Sequence, residues 1–284
     1  MAVHDHLVPI NNICQQKCNF CSAEYRMIGN KPIPLKHVFN DILLKWNYIQ
    51  VSGWEPLLHP KVFEILYFIR KYKPKCFIEF QSNGLLLLKN DNLTKLMKFQ
   101  IDLFNINYPS HLEEINDAVV RIPKTLKIRE AGMHEIIKRW WKLRINIIVN
   151  KVNYPYIAQT VDYIYENFKG LERIQFSFTK AMGAANKNEE VVPRYEEAEP
   201  FYIAALDKCE QYGIKVDVDH IPMCFLGKHH LRHVDYHKKK SGERGVFEIE
   251  KNYVERCTSC DKRDLCTGYR KDYLQIYPEW ALKI

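Results

Sequence analysis

Short apolar runs, rich in β-branched and aromatic residues, alternate with amphipathic stretches up to about residue 212. Six runs predict strands at residues 7–13, 48–52, 76–82, 103–107, 145–150 and 174–178. They are apolar almost throughout, the pattern of strands covered on both faces. Helical patterns lie between them. Val62, Ile65, Leu66 and Ile69 recur at helical spacing after Pro60, and Ile157, Val161, Ile164 and Phe168 do so after Pro155. Residues 195–212 predict another helix, which Gly213 would end. Strand-then-helix units predict a parallel sheet with right-handed crossovers. The fold class expected is α/β, a partial (β/α)6 TIM-like barrel over residues 1–212. Residues 213–284 would form a small cysteine-rich C-terminal extension. That tail is charged and poor in long apolar runs, so it should depend on a metal centre and on packing against the barrel.

Bulk composition narrows the picture only slightly. A chain of 284 residues with 46% hydrophobic content suits one large domain, or one with a small appendage. No apolar run of about 18 residues predicts a membrane span. Residues 1–14 lack the basic, apolar and small-residue order of a signal peptide, so a cytoplasmic protein is expected. The net charge of +8 is spread along the chain, with a local excess at 227–244. A solvated basic surface accounts for it, and a nucleic acid, membrane surface or acidic substrate is the alternative.

The cysteines change the picture most. The chain has nine. In a reducing compartment, clustered cysteines point to metal or redox chemistry rather than disulfides. Cys14, Cys18 and Cys21 form one group just after the first predicted strand. Three thiolates at this spacing can wrap one face of an iron–sulfur cubane, which would leave one iron without a protein ligand. An open position is what a catalytic metal needs. A zinc loop short of its fourth ligand is the competing reading. Cys224, Cys257, Cys260 and Cys266 form a second group, able to hold zinc or a second [4Fe-4S] cluster. Cys76 and Cys209 stand apart and read as structural thiols.

Cys14-xxx-Cys18-xx-Cys21, with Phe20 before the last cysteine, resembles the signature of the radical S-adenosylmethionine (SAM) superfamily. The resemblance implies a [4Fe-4S] cluster that binds SAM and, once reduced, cleaves it to a 5′-deoxyadenosyl radical. An external one-electron reductant of flavodoxin or ferredoxin type would supply the electron. Ser52-Gly53-Trp54-Glu55-Pro56 is similar to the family's Gly-Gly-Glu-Pro segment, with Trp54 where a second glycine is usual. Gln81-Ser82-Asn83-Gly84 resembles its turn after strand three. Asn107 stands where relatives often carry a serine near the SAM carboxylate or ribose, and Asn150 with Asn153 resembles a polar pair after strand five. Ser52, Gly53, Trp54, Glu55, Gln81, Asn83, Asn107 and Asn150 are therefore the expected SAM-binding residues. All fall at C-terminal strand ends, where barrels of this kind place their chemistry.

The segment from Cys257 through Gly268, Tyr269 and Leu274 looks like the auxiliary-cluster region of SPASM or twitch type. With four well-placed cysteines, the resemblance implies one auxiliary cluster. Relatives of this kind include maturases of ribosomal peptides and dehydrogenases of sugar-like alcohols. The implied function is hydrogen-atom abstraction from a peptide substrate. Dehydrogenation or epimerisation of a small polar molecule is the alternative, and nucleic-acid modification is a third. A catalytically silent Fe–S or zinc protein is the competitor from another class. No catalytic acid, base or relay residue stands out; Tyr25, Glu79, Gln175 and Ser177 are candidates near the cavity. Residues 227–244 carry four histidines and six Lys or Arg, and read as a solvated loop. Trp140-Trp141 reads as packing against the barrel, with a membrane or partner face as the alternative.

Overall fold

The computed structural model describes residues 6–23, 31–243, 245–279 and 282. Among the described residues, seven parallel strands form one sheet in the order β1 to β7. They are β1 (Leu7–Pro9), β2 (Tyr48–Ser52), β3 (Phe77–Ser82), β4 (Leu103–Asn107), β5 (Leu143–Val149), β6 (Arg173–Phe178) and β7 (Val216–Asp219). The helices between them are α1 (Leu35–Leu44), α2 (Val62–Tyr72), α3 (Asn92–Met97), α4 (Glu113–Val120), α5 (Leu126–Lys138), α6 (Ile157–Asn167) and α7 (Tyr195–Gln211). This is the open, partial TIM-like barrel that the alternation predicts. It carries one strand more than the apolar runs revealed. β7, Val-Asp-Val-Asp, is short and alternating, and its pairing with β6 exists only once the sheet is assembled.

The strands are not apolar on both faces. Ile49, Val51, Ile78, Phe80, Phe104, Ile106, Ile145, Ile147, Ile174 and Phe176 are fully buried towards the helices. The alternate positions turn into the barrel and are polar. Gln81 pairs in register with Asn105, Asn107 with Asn146, and Ser177 with Asp219. A closed barrel fills this interior with branched apolar side chains; here the interior is a polar lumen. Its floor is a buried ion pair: the Glu79 carboxylate bonds Arg144 and Tyr48, and accepts from Gln50 (3.0 Å) and Asn105 (2.9 Å). Of the lumen candidates, Glu79 is thus held by a saturated network, and Tyr25 lies outside the described residues.

Beyond β7 the tail folds as a 3₁₀ segment (Met223–Arg232), α8 (Val234–Lys240), α9 (Val246–Ile249), the two-residue strands β8 (Lys251–Asn252) and β9 (Tyr269–Arg270), and α10 (Lys271–Ile276). The basic, histidine-rich stretch is therefore helical over much of its length rather than a loop. His229 binds Asp207 of α7 at 2.9 Å, and His233 caps α8 by accepting the Asp235 amide at 3.0 Å. The tail is tied to the barrel by aromatic packing. Tyr273 stacks on Tyr195 with centroids 3.7 Å apart and accepts its backbone amide, and Asp272 accepts the Ala181 amide at 2.7 Å.

His233 and Asp235 are buried together with Lys251 and Thr267. Burial first, and the Lys251 charge after it, hold His233 down at about 4, with Asp235 opposing. The imidazole is neutral in the fold. Between pH 6.5 and 4 the unfolded chain takes up a proton that the fold refuses, so stability falls as pH falls through that window. The expected slope from this group is about 1.4 kcal/mol per pH unit. In a His233→Asn variant, urea unfolding at stepped pH should show that component of the slope gone.

Candidate functional site

The loop after β1 carries the first cysteine group, and neighbouring elements fix it from three sides. The amides of Trp54 and Glu55 donate to the carbonyls of Asn11 (3.2 Å) and Ile13 (3.0 Å). The amides of Lys17 and Asn19 donate to Val120 (3.2 Å) and Val119 (2.9 Å), carbonyls left unpaired at the end of α4. From the loop after β6, the Ala184 amide donates to Cys21 at 3.0 Å. Gly53 is the residue this closeness demands. Its φ is +119°, and a Cβ there would sit 2.7 Å from the Asn11 backbone.

Glu55 ties the ends of β2 and β3 together. Its carboxylate accepts from Ser82 Oγ (3.0 Å), the Asn83 amide (2.9 Å) and the Leu57 amide (3.1 Å), and is wholly buried. Burial pushes its carboxyl up to about 7, against those hydrogen bonds. Asn83 then reaches the cysteine loop: Nδ2 lies 3.7 Å from Cys14 Sγ, and Oδ1 accepts from Gln15 Nε2 at 3.2 Å. Behind it, the buried Arg129 donates to the Asn83 carbonyl (2.9 Å) and to Asn116 of α4.

These contacts enclose a cavity of about 200 Å³ at the C-terminal ends of the first five strands. Cys14, Cys18 and Cys21 line it, with Ser52, Gly53, Trp54, Gln81, Asn83 and Asn107. Two of the expected residues do not. Glu55 sits behind the wall, and Asn150 is buried in a turn, accepting the Val152 amide at 3.0 Å and bonded to Asn153. Asn105, Asn146, Lys17 and Ser82 also line the cavity and were not singled out from the sequence. For the two asparagines a signal existed: each interrupts an apolar strand at the period of two that marks an inward face. Arg129 and Asn11 carried none.

The donor set fits a cubane. Burial pushes the Cys14 thiol up to about 12 and Cys18 higher still, while the Arg129 charge pulls Cys18 the other way. Thiols so placed lose their protons to a metal rather than to water. Cys14, Cys18 and Cys21 line one cavity, and three thiolates are donors of the kind an iron–sulfur cluster takes. Asn105 Oδ1, Asn107 Oδ1 and Trp54 Nε1 are buried without a partner, so the wall keeps hydrogen-bonding capacity for a polar ligand.

In the tail, burial pushes the Cys224 thiol up to about 12 against the Arg256 charge, and Cys266, Cys260 and Cys257 lie near enough to add to the rise. The Gly268 amide points at Cys266 Sγ, 3.3 Å away. Cys76 and Cys209 are buried in the core, away from both groups.

The family model described as Radical SAM superfamily matches residues 8–164. The chain belongs to the radical SAM superfamily. It is an enzyme of that family, whose cofactors are SAM and a [4Fe-4S] cluster. Its fold is similar to SuiB of Streptococcus suis, solved with the precursor peptide SuiA. The TM-score is 0.68 at 14% identity, over 95% of this chain and 72% of that one. It is also similar to anSMEcpe, solved with AdoMet and the Kp18Cys peptide, with a TM-score of 0.68 at 14% identity over 98% of this chain and 91% of that one. A search of curated proteins gave no match.

Because Gly53 is pressed on the Asn11 backbone at positive φ, Gly53→Ala in this radical SAM enzyme should cost roughly 2–3 kcal/mol. A fall in the urea midpoint, together with lower iron content after reconstitution, checks this.

Proposed function

We propose that the enzyme cleaves SAM reductively at a [4Fe-4S] cluster held by Cys14, Cys18 and Cys21, and that the resulting 5′-deoxyadenosyl radical takes a hydrogen atom from a peptide substrate. One observation carries the reading: a single cavity is lined by three cysteines and by the polar ends of β2, β3 and β4. Three thiolates leave one iron open to the SAM amino and carboxylate groups. Ser52, Gly53 and Trp54 offer a backbone edge to the ammonium. Gln81, Asn83 and the unpaired Oδ1 of Asn107 are aimed at the polar remainder of the molecule. Glu55 acts through Asn83 as a positioning residue, and Asn150 shapes the turn after β5.

Likeness to SuiB and anSMEcpe over nearly the whole chain, both solved with a peptide, supports a peptide substrate. The polar lumen of Asn146, Gln175 and Ser177 favours a second reading, dehydrogenation or epimerisation of a small hydroxylated molecule. Cys224, Cys257, Cys260 and Cys266 would hold one auxiliary cluster of SPASM or twitch type, which takes an electron from the product radical or anchors substrate. The reductant is of flavodoxin or ferredoxin type, and the compartment is the cytoplasm.

Anaerobic reconstitution, dithionite and SAM should yield 5′-deoxyadenosine. Cys14→Ala should lower that yield at least ~100-fold, a loss of about 2.7 kcal/mol or more in barrier terms. No 5′-deoxyadenosine under several reducing conditions would leave the silent Fe–S or zinc protein as the better reading. Iron and sulfide counts on the triple variant Cys14→Ala, Cys18→Ala, Cys21→Ala test the tail. About four irons retained supports the auxiliary cluster; zinc or no metal sinks it.

A further inference from the structure

The end of the barrel opposite the cavity is built from connections that lead out of helices and into strands. Those before β2, β3, β4 and β5 are knitted into one surface. Lys73 Nζ donates to the Lys45 carbonyl, and the Phe77 amide to Asn47 at 2.8 Å. Arg70 Nε donates to Phe99 at 2.7 Å, and Arg139 reaches Thr94 Oγ1 (3.2 Å) and Met97 Sδ (3.3 Å).

This surface is apolar and basic at once. Trp140 is 95% exposed, Leu44 79%, Trp46 69% and Tyr72 54%, with Phe77 and Met97 beside them. The same four connections carry Lys45, Lys73, Lys75, Lys98, Arg139 and Lys142; Lys45 is paired with Asp41 of α1 at 3.1 Å and Arg139 with Glu135 of α5 at 3.3 Å, which leaves Lys73, Lys75, Lys98 and Lys142 as the cations of the face. The one carboxylate of these connections, Asp102, is in an ion pair with Arg70 at 3.1 Å. Trp140 holds φ +63°, a conformation costly for a large side chain. Its exposed ring gains nothing from packing in return. The neighbouring Trp141 takes the inward place, 5.1 Å from Phe104. The pair expected to pack on the barrel is thus split, one ring in and one out.

We propose that this face docks on an anionic lipid bilayer. Tryptophan and tyrosine rings lodge at the headgroup level, and leucine and methionine enter the acyl boundary. Lysines lay their stems along apolar surface and keep their charges on the lipid headgroups. A nucleic acid would use the cations and stack on the rings, but it gives exposed Leu44 and Met97 nothing to bury in. A bilayer uses all of them. Docked this way, the enzyme presents its cavity away from the membrane. The inference rests on the opposite end of the barrel and does not depend on which substrate the cavity takes.

The test is co-sedimentation of the holoenzyme with phosphatidylcholine vesicles, with and without about 30% phosphatidylserine, since each surface cation should strengthen anionic binding roughly fivefold. Binding is expected to the anionic vesicles alone, with a blue shift in tryptophan emission and loss at high salt. Trp46→Ser with Trp140→Ser should weaken binding at least tenfold and abolish the shift. Lys75→Glu with Lys142→Glu should weaken it more than tenfold. Both variants should keep the wild-type melting temperature and 5′-deoxyadenosine yield. Sedimentation with neither vesicle, equal sedimentation with both, or undiminished binding of the variants overturns the proposal. Tighter capture by single-stranded RNA than by the anionic vesicles overturns it as well.

Discussion

A carboxylate shut away from water is tolerated only when its oxygens are filled, and Glu55 has them filled by Ser82 and by the amides of Asn83 and Leu57. The rest of the site is hung from that interaction. It sets the end of β2 against the end of β3, which fixes Asn83, and Asn83 fixes Gln15 and approaches the Cys14 sulfur. Arg129 holds the same residue from behind and ties it to α4, whose terminal carbonyls receive the cysteine loop. A glutamate that looks like a ligand residue in the sequence is, in the fold, a strut. Its buried position lets the backbone in front of it face the cavity, and Gly53 lets that backbone lie directly on the loop after β1.

The sheet divides its labour by face. Outward positions carry Ile, Val and Phe and bury them under the helices. Inward positions carry amides, hydroxyls and charges, which hydrogen-bond one another in register from β2 to β7. A lumen built so cannot collapse on itself as an apolar core would, because its polar groups are worth burying only while they remain paired. Several are left short of partners near the cavity mouth. The unfilled capacity therefore lies beside the cysteines, where a polar ligand would complete it. At the other end, the αβ connections bear their own excess of exposed rings and cations, so the two ends of the barrel face different surroundings.

How much of this was legible in the sequence varied with the range of the interaction responsible. Cys14, Cys18 and Cys21 lie within eight residues of chain, so spacing alone made them a cluster motif and placed them after a strand. Six strands and the helices after Pro60 and Pro155 were visible as local periodicity. β7 was not, since a short alternating strand is stabilised by β6 and not by its own composition. The polar lumen escaped for a related reason. Asn105 and Asn146 sit in strands whose apolar neighbours mask them, and only the curl of the sheet brings them to one side with Asn107.

The sequence by itself determined the chemistry on offer: two groups of thiols, a row of polar strand ends and an α/β frame to hold them. Local spacing and periodicity suffice for most of that, because every motif apart from the distant Cys224 is written in neighbouring residues. Tertiary structure alone decided what each residue does within the frame. It turned Glu55 and Asn150 away from the cavity, recruited Asn11 and Arg129 to hold it, and sent Trp140 out while Trp141 went in. Those assignments come from contacts between residues tens of positions apart, and burial and hydrogen-bond satisfaction at such distances are properties of the packed chain, which no stretch of it carries alone.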